Sequence, residues 1–206
     1  MRSYELYIFD FDGTLANSEE SLYPVFRQGF KAIGRECSPE EVGIYMHISL
    51  LQTLELAKIE GDDQKKFVEA VVEALDSEES LSLIRLFDDT APVLHQLKAQ
   101  GKKLAVASNN VTTHIKKVLE KFGIESYFDV CVGSDSVAHT KPAPDMILKA
   151  CHDLNVPISE TIYIGDSLQD AGTARAAKAA EALIDRHKEH EDFVGKRIFS
   201  LFELLS

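Results

Sequence analysis

Short apolar runs that each stop on a polar or glycine residue govern what this chain can become. Leu6-Tyr7-Ile8-Phe9 stops on Asp10, and Leu104-Ala105-Val106-Ala107 stops on Ser108. Phe128-Asp129-Val130-Cys131-Val132 stops on Gly133, and Thr161-Ile162-Tyr163-Ile164 stops on Gly165-Asp166. Ala182-Leu183-Ile184 is a weaker fifth run. Runs of this length with little polar interruption read as strands buried on both faces, the signature of a parallel sheet.

Between them the apolar residues recur at helical spacing. Val111, Ile115, Val118, Leu119 and Phe122 form one stripe, stopped by Gly123. Val93, Leu94 and Leu97 form a shorter one, and Ile147, Ala150, Cys151 and Leu154 another. Ala171 to Ala180 is Ala-rich and reads as helix by propensity. Alternating strand and helix predicts an α/β fold, a Rossmann-like doubly wound parallel sheet. Residues 16–86 break the alternation. Leu22, Val25, Phe26 and Phe30, then Leu50, Leu51 and Leu54, then Phe67, Val68, Val71, Val72 and Leu75 all keep helical spacing. Gly34, Ser38-Pro39 and Gly61-Asp62 punctuate them. One crossover rarely needs so many residues. The expectation is an α/β core of residues 1–15 and 87–206, with a small all-helical domain of residues 16–86 inserted after the first strand.

In open parallel sheets, ligands bind beyond the carboxyl ends of the strands. There the sequence places Asp10 and Asp12, Ser108 and Asn109, and Asp166, with Lys141 in a following loop. Each alone is explained as a turn or helix cap. Together, three carboxylates, a hydroxyl and an ammonium would crowd one region. Clustered carboxylates repel one another, and a hard cation such as Mg²⁺ relieves that while leaving room for phosphate oxygens. Gly13 permits a backbone turn beside such a ligand.

These residues carry a resemblance. Asp10-Phe11-Asp12-Gly13-Thr14-Leu15 resembles the first motif of the haloacid dehalogenase superfamily of phosphatases, and Ser108 after its strand resembles the second. Lys141-Pro142-Ala143-Pro144-Asp145 is similar to the third, in the form of phosphoglycolate phosphatase-like and β-phosphoglucomutase-like members. Gly165-Asp166-Ser167-Leu168-Gln169-Asp170 resembles the fourth. The resemblance implies roles. Asp10 would be the nucleophile and Asp12 the general acid and base. Asp10, Asp166 and the backbone carbonyl of Asp12 would hold Mg²⁺. Ser108, the Asn109 backbone N–H and Lys141 would bind the transferring phosphoryl group. Asp170, Gly13 and Thr14 would support the site. The insertion would be the cap that reads substrate, with His47 and Arg27 as candidate contacts. Asn17 and His47 stand where the family often has Asp and Gly. Asp12 implies phosphoryl transfer, because dehalogenating members lack a carboxylate there.

Composition bears on partners. Net charge is −12, so the surface repels nucleic-acid phosphates and argues against binding by counterion release. Cys37, Cys131 and Cys151 are too few and too far apart for a disulfide framework. No signal-peptide core or apolar stretch of membrane-spanning length is visible. The expectation is therefore a cytoplasmic Mg²⁺-dependent phosphoric monoester hydrolase, monomer or homodimer, acting on a small phosphorylated metabolite. Two alternatives are a β-phosphoglucomutase-like phosphomutase and a non-catalytic sensor of phosphorylated ligands.

Overall fold

A computed structural model of the chain describes residues 2–205. It resolves into two compact units, Met1–Ala16 with Leu86–Ser206, and Asn17–Arg85.

The first unit is built on a six-stranded sheet. Its strands are β1 (Leu6–Phe9), β4 (Lys103–Ala107), β5 (Val130–Val132), β6 (Thr161–Gly165), β7 (Ala180–Ile184) and β8 (Arg197–Ile198). Their order is β5-β4-β1-β6-β7-β8, and every pairing is parallel. The α/β expectation therefore holds. β1 is central because all four of its residues are apolar and buried, so both faces can be covered. Leu6 and Ile8 share a cluster with Ala105, Ala107, Tyr163, Met146, Ile147 and Ala174. Tyr7 and Phe9, one position out of phase, are buried too.

The helices of this unit are α6 (Thr90–Ala99), α7 (Thr112–Lys121), α8 (Asp145–Leu154) and α9 (Leu168–Ala177). Two of these helices differ in their bounds from what the sequence suggests. α9 starts at Leu168 and stops at Ala177, because Lys178 turns left-handed at φ 59° and Ala180 already opens β7. Val111 caps α7 rather than lying in it. A 3₁₀ helix, Leu201–Leu205, follows β8. Cys37, Cys131 and Cys151 are all free thiols; Cys151 is buried and the other two are half-buried.

From β1 the chain passes to β4 on one side; from β6 it passes to β7 on the other. The carboxyl ends of β1 and β6 thus form the topological switch point. Register pairs Phe9 with Ile164, and the Asp10 N–H donates to the Ile164 carbonyl at 2.8 Å. The residues that follow, Asp10 and Asp166, are delivered to the same place.

A buried ion pair closes the other flank. Asp89, at the N-cap of α6, meets the Arg186 guanidinium with two bonds of 2.9 Å. It also accepts from the Ser200 hydroxyl at 2.7 Å and the Leu201 N–H at 2.9 Å. Burial works to raise the Asp89 carboxyl, but the Arg186, Ser200 and Leu201 donors hold it below its ordinary 3.8. Its stabilising contribution is then complete above pH 3.8 and is lost as pH falls through the lower folded value. Asp89→Asn should cost roughly 3–5 kcal/mol near neutrality by leaving a buried charge unpaired. In urea unfolding series, that penalty should shrink once pH drops below the ordinary carboxylate range.

The second unit is helical: α1 (Glu19–Ala32), α2 (Pro39–Tyr45), α3 (Leu50–Leu56), α4 (Asp62–Leu75) and α5 (Glu78–Leu83). The sequence explains its punctuation. Ser38 with Glu41, and Ser49 with Gln52, are reciprocal capping boxes that start α2 and α3. The unit has its own core, in which Phe30 meets Phe67 edge-on at 5.0 Å and stacks on Tyr45 at 5.3 Å. Each such buried ring contributes a few kcal/mol, about 1.5–3 from area alone. β2 (Ala16–Asn17) and β3 (Arg85–Leu86) pair as a separate two-stranded sheet where the chain passes from one unit to the other. Two-residue strands carry no periodicity and were not foreseeable from the sequence.

Candidate active site

The carboxyl ends of β1, β4 and β6 and the loop after β5 bring Asp10, Ser108, Lys141, Asp166 and Asp170 into one site. Asp10 leaves β1 directly into a tight loop, Asp10–Leu15, closed by backbone bonds from Leu15 and Ala16 to the Phe11 carbonyl. Gly13 holds φ at +77°, and a Cβ there would run into the Asp166 carboxylate. Only glycine serves both demands. Thr14 is buried, and its hydroxyl donates to Asp166 Oδ1 at 3.0 Å.

Lys141 is the one ammonium in this cluster. Its Nζ is 2.9 Å from Asp10 Oδ1 and 2.7 Å from Asp170 Oδ1, and all three side chains are almost fully buried. The loop carrying it includes a cis Lys141–Pro142 peptide. Asn109 Oδ1 accepts the Lys141 backbone N–H at 3.0 Å, while its amide donates to Gln169 at 3.2 Å. The Asn109 side chain thus ties the loop after β4 to the Lys141 loop and to the first turn of α9.

Asp170 is the N3 residue of α9. It caps Ser167 through its Oδ2, accepting from the Ser167 N–H at 3.0 Å and the Ser167 hydroxyl at 2.6 Å. Its Oδ1 takes Lys141 and lies 3.0 Å from the Tyr163 hydroxyl. Burial opposes its charge, yet Lys141 and Ser167 outweigh that and hold its carboxyl low. With both oxygens so engaged, Asp170 anchors Lys141 and has little capacity left for a cation.

Asp10 and Asp166 differ. Burial pushes the Asp10 carboxyl well up, and Lys141 offsets only part of it. Burial, with the Asp170 charge next, pushes Asp166 up to about 6. Asp10 Oδ1 makes no hydrogen bond of good geometry despite the nearby ammonium. Carboxylate oxygens of Asp10, Asp166 and Asp170 lie within 4.8 Å of one another. Three acids share one ammonium here, and burial together with the neighbouring acid charges makes two of them resist ionisation. That chemistry fits a divalent cation bound by oxygen.

Asp12 is half-buried and accepts from the Asn110 amide at 3.4 Å. Ser108 is buried at the end of β4, and its Oγ accepts the Asn110 N–H at 3.2 Å. Asn110 therefore touches two of the expected site residues, although nothing in the sequence marks it out from Asn109 beside it. Tyr163 was missed for a similar reason: it reads as an ordinary strand residue. Of the two expected substrate contacts, His47 is exposed after α2, and Arg27 is exposed on α1 with its guanidinium 5.8 Å from the Tyr23 ring. Both belong to the helical unit.

A family model of the haloacid dehalogenase-like hydrolases matches residues 7–184. The chain belongs to this family. A phosphoglycolate phosphatase of Aquifex aeolicus is 30% identical over 96% of this chain and 95% of its own. The pyrophosphatase PpaX of Halalkalibacterium halodurans is 27% identical over 91% of this chain and 86% of its own. A solved structure of a haloacid dehalogenase-like protein from Bacteroides fragilis superposes with a TM-score of 0.86 at 29% identity, covering 98% of this chain and all of that one. Within the haloacid dehalogenase-like hydrolases the protein stands with the phosphoglycolate phosphatase-like members, and it is an enzyme of the phosphatase kind. Among the described residues, no helix is long and apolar enough to cross a membrane.

Proposed function

We propose that the protein is a Mg²⁺-dependent phosphatase of a small phosphorylated metabolite, with phosphoglycolate and sugar phosphates as the first candidates, acting through an aspartyl-phosphate on Asp10. The observation that carries this reading is the buried Asp10 carboxylate, set between Lys141 and two further acids and left without a good hydrogen bond on Oδ1.

Asp10 and Asp166, with the backbone carbonyl of Asp12, would hold the metal. When bound, it supplies charge that neutralises the phosphoryl oxygens. The rest falls to the chain. The Asp10 oxygen attacks phosphorus, the ester P–O bond breaks, and Asp12 gives its proton to the departing alkoxide. Asp12, again a carboxylate, then takes a proton from water. That water attacks phosphorus, the Asp10–phosphate bond breaks, and inorganic phosphate leaves. Lys141 keeps Asp10 in place and faces the phosphoryl charge. Ser108 and the Asn109 N–H are set to bind its oxygens. Asn110 orients Asp12 from the side.

Phosphate release from a panel of phosphoglycolate, sugar phosphates and pyrophosphate is expected for at least one compound, and EDTA should abolish it. Restoring Mg²⁺ should recover it. Release that survives EDTA, or no release from any compound, would remove the proposal. A phosphoenzyme that accumulates and turns over only with a sugar bisphosphate would favour a mutase instead.

A further inference from the structure

Arg186 lies outside every motif of the sequence, yet its guanidinium reaches the loop that carries the nucleophile. Nη2 donates to the Thr14 backbone carbonyl at 2.9 Å. The same group makes the two-pronged pair with Asp89 and lies 3.8 Å over the Phe87 ring. Nearby, the Thr90 hydroxyl donates to the Leu15 carbonyl at 2.8 Å. Thr14 and Leu15 are therefore clamped from behind by residues of the returning chain and of the β7 end. On the opposite side of Thr14, its hydroxyl donates to Asp166 Oδ1.

We propose that Arg186 is a positioning residue for the metal site: by gripping the Thr14 carbonyl and the Asp89 carboxylate with one planar group, it fixes the loop from which Thr14 orients Asp166. The inference rests on the proposed function, since it assigns Asp166 to the metal. The guanidinium is suited to the task because it offers several donors in a rigid plane, whereas an ammonium is a single point. Partners behind metal ligands are commonly worth 10–100-fold in metal affinity.

The test is calorimetric titration of the metal-free protein with Mg²⁺, together with KM and kcat on p-nitrophenyl phosphate. Arg186→Lys keeps the charge but cannot hold Asp89 and Thr14 together; its Mg²⁺ dissociation constant should rise about 10-fold. KM at saturating Mg²⁺ should change little. Ser200→Ala removes a bond to Asp89 without touching Thr14, so it should lower stability and leave Mg²⁺ affinity within about twofold, below the range for groups behind a ligand. If Arg186→Lys does not fold, the neutral pair Asp89→Asn with Arg186→Gln leaves no unpaired charge, and the same rise is expected. In a Thr14→Val background, Arg186→Lys should add little. Unchanged Mg²⁺ affinity in the Arg186 variants overturns the proposal, as does an equal loss in Ser200→Ala or full additivity with Thr14→Val. Wild-type protein that binds no Mg²⁺ overturns this inference and the proposed function together. Wild-type binding and turnover with unaltered Arg186 variants overturns this inference alone.

Discussion

Asp10→Asn should reduce phosphate release on the order of 10⁴-fold or more, because an amide oxygen cannot form the covalent intermediate. The substitution is nearly isosteric and Lys141 keeps its pair with Asp170 at 2.7 Å, so the fold should survive. Circular dichroism and an unfolding curve would establish that. Acid-quenched wild-type enzyme should carry a phosphoryl group on Asp10 by peptide mass spectrometry, and the variant should carry none. Turnover within tenfold of wild type would take the nucleophile's role away from Asp10. The magnitude is large because each other carboxylate in the site has its own task, Asp12 that of moving the proton. Asp170 is saturated with donors, and Asp166 is held by Thr14 against Gly13.

Lys141→Met should be nearly as damaging to activity, and it should also weaken the fold. The ammonium is buried between Asp10 and Asp170 and its proton is held firmly: burial works against it, but the two acids push its pKa up. Removing it leaves adjacent buried acids with no cation, for which a loss of roughly 3–5 kcal/mol is expected. Urea unfolding without metal should show that loss. Added Mg²⁺ should stabilise the variant more than it stabilises wild type, because the metal would then be the local positive charge. If Lys141→Met loses activity at unchanged stability, the ammonium serves the phosphoryl group and does not hold the acids together.

The strands β1, β4 and β6 were legible because near-continuous apolar runs admit few other readings. The insertion was legible because its apolar stripes keep helical spacing between Gly34, Ser38-Pro39 and Gly61-Asp62; the capping role of Ser49 shows only in the structure. The other features depend on long-range contact. Ala-rich sequence does not reveal that Lys178 adopts a left-handed turn, so α9 ends sooner than propensity suggests. β8 has two residues and exists through its pairing with β7. In the site, Asp10, Lys141 and Asp166 stood out as polar residues where a sheet binds ligands. The double duty of Asp170, capping Ser167 and anchoring Lys141, depends on the first turn of α9 meeting the Lys141 loop. Asn110 and Arg186 are ordinary in sequence, and only folding shows what they touch.

The pairing of β1 also bears on how such a chain comes to order during synthesis. Leu6 pairs with Lys103 on one side and with Thr161 on the other. The strand that ends in Asp10 is translated early, yet both of its neighbours emerge much later. Closing such long loops is slow compared with forming local helices. The helical stretch of residues 17–85 holds its contacts locally and can organise while the ribosome is still delivering the rest. Asp10 and Asp166 then meet only when β6 has joined β1, so the most reactive corner of the protein is assembled among the last.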